Sequence, residues 1–225
     1  MTVLPSFDPR QVPVIGVDRH LPKVQPRALQ PQALAQRFAA AHSWTPELLA
    51  EPRFSERPAV HASVLIPLVM RDQGLTVLLT ERTTHLSSHS GQIAFPGGKA
   101  DPEDSSAVDT ALREAQEEIG LDRKFVEVLG TLPIYTTGSA FIVTPVVALV
   151  YAEHMVTANP HEVADVFEVP LDFLMDPANH HRHAVEWAGA RREWLSMPYM
   201  DAKTERFIWG ATAGMLRNFY RFLLD

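Results

Sequence analysis

The chain has 225 residues, 46% of them hydrophobic, enough for one sizeable core and a short appendage. A net charge of −7 and a pI near 5.8 argue against a life on nucleic acid or on an anionic membrane, but not against a nucleotide substrate whose charge a bound cation offsets. With no cysteine there are no disulfides, thiol nucleophiles or cysteine metal sites, and no basic leader or run of roughly 18 apolar residues is present, so a cytoplasmic protein without nucleic-acid or membrane partners is expected.

Residues 1–31 carry prolines at 5, 9, 13, 22, 26 and 31 and few periodic apolar positions. They read as an extended arm, ordered where it packs on the body or on a second subunit, which makes a homodimer a candidate assembly. Residues 32–57 form a short helical segment: 32–42 read as a helix, and Thr45-Pro46-Glu47 as the start of another. The main domain occupies residues 58–225. Residues 61–70 and 75–82 are apolar, β-branched runs that read as a hairpin turning at Gln73-Gly74. Residues 92–95 make a short strand feeding a Pro-Gly-Gly turn.

An amphipathic helix is expected next. It starts near Ser105 or Ser106, with Asp104 or Ser105 supplying a capping oxygen, and stops at Gly120. At about 100° per residue, Glu114, Glu117 and Glu118 share an arc of roughly 100°, beside an apolar arc of Val108, Leu112, Ala115 and Ile119. Like charges at these spacings repel by about 0.2–0.5 kcal/mol per pair. A divalent cation accounts for three such carboxylates better than a solvated face does, and hard oxygen ligands favour Mg2+ or Mn2+ over zinc. Strands are expected at 125–134, 141–151 and 166–169, a short helix at 171–175 and a loop at 177–182. A hairpin across Gly189 and a closing amphipathic helix over 205–224 follow, the latter burying Phe207, Ile208, Ala211, Met215, Phe219 and Phe222. Trp209 and Phe207 read as core rather than as a base-stacking platform, and His180, His181 and His183 as exposed, solvated loop residues. Strands on both sides of one central helix, with a last helix, imply an α/β fold with a mixed sheet covered on both faces.

The run from Gly98 through Arg113-Glu114-Ala115-Gln116-Glu117-Glu118-Ile119-Gly120-Leu121 resembles the Nudix box, G-x5-E-x7-R-E-U-x-E-E-x-G-U. Here the first half is one residue longer than the general pattern, and Asp104 stands near its glutamate. Upstream, Leu78-Leu79-Thr80-Glu81-Arg82, then Gly91 and Phe95-Pro96-Gly97-Gly98, are similar to the stretch marking the coenzyme A pyrophosphatase branch of that family, which commonly carries the lengthened box. Glu162-Val163-Ala164 and Trp209-Gly210-Ala211-Thr212 are also similar to parts of that branch. The branch pattern has an arginine near Ser87, and Thr83 stands where serine or alanine is usual. One cationic contact to a substrate phosphate is therefore missing.

The resemblance implies a Nudix-type α/β/α sandwich with a mixed β-sheet, joined here by the arm and short helices. It implies hydrolysis of a nucleoside diphosphate derivative, with 4′-phosphopantetheine and adenosine 3′,5′-bisphosphate as the products from coenzyme A. Glu114, Glu117 and Glu118 would hold the metal, helped by the Gly98 carbonyl. Arg113 would orient a glutamate, and Glu162 is the candidate extra acid from outside the box. Arg82, His89, Gly97 and Gly98 are the candidate substrate contacts, with His85 nearby. The same chemistry on ADP-ribose, NADH or a dinucleoside polyphosphate is one alternative. A Nudix-fold module that senses a nucleotide without cleaving it is another.

Overall fold

A computed structural model describes residues 8–40, 43–53, 55–83, 91–187, 190–202 and 204–224. The central sheet has eight strands. They are β2 (Val60–Arg71), β3 (Gly74–Arg82), β4 (Ile93–Ala94), β5 (Gly97–Lys99), β6 (Val126–Thr131), β7 (Tyr135–Thr136), β8 (Phe141–Val150) and β9 (Val163–Pro170). Its main path runs β4-β3-β2-β8-β6, with β5 on β2, β7 on β8 and β9 on β3. Among the strands of this sheet in the described residues, β2 and β8 run parallel, from Val60↔Phe141 to Val69↔Val150, and the other pairs are antiparallel. The sheet is therefore mixed, as expected, and β2 and β8 are nearly continuous runs of buried apolar residues because both their faces are covered.

Helix α2 (Ala107–Ile119) covers one face, packing Ala111, Ala115 and Ile119 on Leu65, Val69, Leu78, Val146 and Val150. The other face carries α1 (Pro31–Ala39), α3 (Leu171–Leu174) and α4 (Gly210–Leu224). Beyond α4 lies a second, four-stranded antiparallel sheet in the order β1-β10-β11-β12, made of Val14–Val17, His181–Trp187, Ala190–Asp201 and Thr204–Trp209. Lying between two sheets, α4 is buried almost all round, from Thr212 to Tyr220 without a break. The α/β/α sandwich is present, with an extra sheet on its outer side.

Several local expectations are corrected. Residues 205–209 are strand β12, not the first turn of the last helix: Phe207 and Ile208 alternate across a sheet, and Gly210, at φ +62°, separates strand from helix. No helix starts at Thr45-Pro46-Glu47, where the Glu47 side chain is drawn to Arg217 (2.6 Å) and Arg182 (3.1 Å). The hairpin turns at Asp72-Gln73, with Gly74 already in β3 at φ +122°. Gly97 and Gly98 do not form a free turn, because they pair with Val64 and Ser63 of β2. The first helix covers 31–39, and positions 41 and 42 lie outside the described residues, as does Gly189.

The arm is not extended throughout. Beyond short 3₁₀ turns at Pro9–Gln11 and Pro26–Leu29, its strand β1 pairs with β10, and Asp18 enters a buried charge cluster. Asp18 faces Arg217 (3.1 Å) and Arg182 (2.7 Å), which hold its carboxyl below the usual range although burial pushes the other way.

His180 and His183 are buried, not solvated. His180 Nε2 donates to the Leu174 carbonyl (2.8 Å), so its Nδ1 must accept from Arg217 (2.9 Å). Burial, aided by the Arg217 charge, lowers the His180 pKa to about 4 and keeps the ring neutral. His183 spans the Val12 carbonyl and the Ser196 hydroxyl.

Candidate active site

Three pieces of chain meet at one end of the central sheet. The first is α2. Its start is fixed by Ser106, which accepts from the Asp109 N–H (3.1 Å), so the cap is Ser106 rather than Asp104 or Ser105. Its stop is Gly120, at φ +66° with its N–H on the Gln116 carbonyl. The second piece is β5, held on β2 so closely that a Cβ on Gly97 would lie 2.4 Å from the Ser63 carbonyl oxygen. The third is the segment from Thr157 to Val163, which carries Glu162.

Gly98 lies directly under Glu114: a Cβ there would sit 2.5 Å from the carboxyl carbon. The bare backbone of Gly98 lets that carboxylate sit where a Cβ would otherwise turn it away. Glu118 is 3% exposed and accepts the Gly97 N–H at 3.1 Å, with Arg82 Nη1 at 3.5 Å. Burial raises its pKa to about 7; the Gly97 N–H and Arg82 oppose the shift, while the charges of Glu114 and Glu162 add to it. Glu114 is likewise raised, first by burial and then by Glu117 and Glu162, against the pull of Arg113. Glu162 is thus near enough for its charge to act on both helix carboxylates. The pairing of Arg82 with Val163 follows a register shift after Glu81, a bulge at the point where β3 and β9 enter the site.

Arg113 is the hub of the outer rim. It meets Asp104 through Nε and Nη2 (both 3.0 Å), Glu114 (3.1 Å), Glu117 (2.9 Å) and the Lys99 carbonyl (2.9 Å). The bidentate bond to Asp104 holds that carboxyl far below its usual range and raises the guanidinium pKa further. A cleft of about 340 Å³ opens beside it, lined by Arg113, Gln116, Glu117, Asp122 and Arg123 but by neither Glu114, Glu118 nor Gly98.

Of the candidate residues, Glu114, Glu118, Gly97, Gly98, Arg82 and Glu162 converge, while Glu117 sits further out with Arg113. His89, His85 and Ser87 lie outside the described residues. Among the described residues no three His, Asp or Glu side chains are gathered as a ready metal cluster, since Glu114 and Glu117 turn toward Arg113. The oxygen-only donors, the crowding of Glu114 on Gly98 and a carboxyl as buried as Glu118 nonetheless fit a hard divalent cation. Nothing in the sequence marked Asp104 as the anchor of Arg113, Thr83 as a tie to the Glu162 turn, or Asn159 as a contact of Glu118. The Asn159-Pro160 dipeptide was the available signal for a turn there.

A family model of the NUDIX domain matches residues 59–193. The chain is similar to the uncharacterized Nudix hydrolase NudL of Yersinia enterocolitica, at 43% identity over 158 residues, covering 70% of this chain and 78% of that protein. NudL of Yersinia pestis is 42% identical over 157 residues, 70% and 76% of the two chains. Among solved structures, a C. elegans Ap4A hydrolase binary complex has 21% identity and a TM-score of 0.43, covering 53% of this chain and 86% of that one. The NUDIX domain of Shewanella oneidensis NrtR complexed with ADP ribose has 23% identity and a TM-score of 0.40, covering 52% and 79%.

Proposed function

This chain belongs to the Nudix family, a hydrolase acting on phosphorus anhydrides, and from that premise we propose that its substrate is coenzyme A or an acyl-CoA. The substrate reading is supported by the run from Leu78 to Gly98 and by the lengthened box behind it. The observation that carries the catalytic reading is Glu114 seated on Gly98, one helical turn from buried Glu118.

Hydrolysis adds a water oxygen to one bridge phosphorus, breaks the bond from that phosphorus to the bridging oxygen, and delivers the water proton to a base. Glu162 is the proposed base, standing outside the helix but within reach of its charge. Glu114, Glu117 and Glu118, with the Gly98 carbonyl, would hold Mg2+ or Mn2+, which when bound supplies positive charge to the bridge oxygens. Arg113 orients Glu114 and Glu117 from the rim. The Arg82 guanidinium is the proposed phosphate contact, suited to bidentate pairing once it turns from Glu118. Gly97 shapes the floor beneath the substrate. His89, outside the described residues, is kept as a substrate contact on its sequence position.

Mass-spectrometric identification of products, with coenzyme A and ADP-ribose incubated side by side in magnesium or manganese, tests the reading. Formation of 4′-phosphopantetheine and adenosine 3′,5′-bisphosphate is expected. Turnover of ADP-ribose alone would replace the substrate while keeping the chemistry.

A further inference from the structure

Asn159 stands where three elements meet. Its N–H donates to the Glu118 carbonyl and that of Thr157 to the Ile119 carbonyl, both at 2.8 Å, so this loop closes the C-terminal end of α2. The Asn159 carbonyl accepts from Glu162 (3.0 Å) and Val163 (2.8 Å), and its Oδ1 accepts from the His161 N–H (3.2 Å). Pro160 has no N–H, which leaves His161 as the first donor that this side chain meets downstream. The turn is also tied to the end of β3: Thr83 donates its N–H to the Glu162 carbonyl (3.0 Å) and its hydroxyl to the His161 carbonyl (3.4 Å).

We propose that Asn159 is a positioning residue for the hydrolysis, holding the Glu162 turn at a fixed tilt against the Glu118 end of α2. The inference rests on the reading of Glu162 as the base. Its physical content lies in which bonds belong to the side chain. The bonds to Glu118, Glu162 and Val163 are made by the Asn159 backbone and survive truncation. The bond to His161 is made by Oδ1 and is lost. His161 immediately precedes Glu162, so the turn stays attached to the helix while the peptide leading into Glu162 loses its Oδ1 anchor and its tilt loosens. A displacement of about 1 Å at a reacting group can cost up to roughly a hundredfold in rate, whereas one exposed side-chain bond contributes little to the fold.

The test is a double-mutant cycle on kcat and KM in magnesium, run on whichever of coenzyme A and ADP-ribose the enzyme turns over, with melting temperature measured alongside. Asn159→Ala is expected to lower kcat about tenfold with KM and melting temperature near wild type. Asn159→Asp, which keeps Oδ1, should recover most of that loss. In an E162Q background Asn159→Ala should cost nothing further. An equal loss in both backgrounds, no recovery with aspartate, or wild-type kcat in Asn159→Ala beside a slow E162Q would each overturn the inference. A wild-type rate in E162Q itself would remove the base assignment, and this inference with it.

Discussion

A Cβ on Gly97 would meet backbone, 2.4 Å from the Ser63 oxygen and 2.6 Å from Val64 Cα, so alanine there must push β5 off β2. The three atoms nearest a Cβ on Gly98 would all belong to the movable end of Glu114. Gly97→Ala should therefore lower the unfolding midpoint, whereas Gly98→Ala should leave the midpoint nearly unchanged and cost at least tenfold in kcat. Circular-dichroism melts and initial rates on the same two variants separate these outcomes. Glu118 makes a second prediction. Its carboxyl binds a proton more tightly folded, at about 7, than at its ordinary 4.5. The metal-free protein should lose stability as pH rises through that window, on the order of 3 kcal/mol in all. Glu118→Gln should abolish turnover yet unfold later than wild type at pH 8 in chelator. A wild-type rate in that variant would refute the role given to α2.

Helix α2 shows what a sequence carries locally. The helix's extent, its stop at Gly120 and the carboxylate arc declare themselves because left-handed backbone and helical spacing depend only on near neighbours, whereas the capping oxygen falls at Ser106, one or two residues beyond the Ser105 or Asp104 expected. Ser106→Ala should cost about 1 kcal/mol in denaturant unfolding with kcat unchanged, the usual worth of one capping bond. Elsewhere the deciding partner is distant in sequence. Phe207 and Ile208 fit a helical stripe, and only the β11 partners Pro198 and Met197 make them strand. His180 and His183 sit among polar residues, and their burial comes from α4 and from the arm, neither visible from their own neighbourhood. That Glu114, Glu118, Gly97 and Gly98 lie close together was legible because they sit on one helix and one adjoining strand. Glu162 was a candidate from the sequence too, but what ties its turn to the site was not legible, because those bonds go to Glu118 and Thr83.

On the scale of the whole molecule, the two ends of the chain are stitched by charge. Arg217 on α4 is 1% exposed and is balanced by Asp18 from the arm and Glu47 from the segment after α1. Removing one partner of a buried pair leaves a desolvated charge, so Asp18→Ala should destabilise by about 3 kcal/mol, softened by the Glu47 contact that remains. Glu193→Ala, which breaks the exposed pair with Arg191, should cost less than about 1 kcal/mol. Chemical denaturation of both variants makes the comparison, and equal costs would show the cluster to be idle. The covered position of α4 also bears on the order of assembly. Neither sheet can close over its apolar face until α4 has been synthesised, and β1 has no partner until β10 exists. Pairings over such sequence distances are slow to form and leave strands uncovered meanwhile. On the ribosome, then, the arm is made well before the strand it pairs with and is among the last segments to find its place.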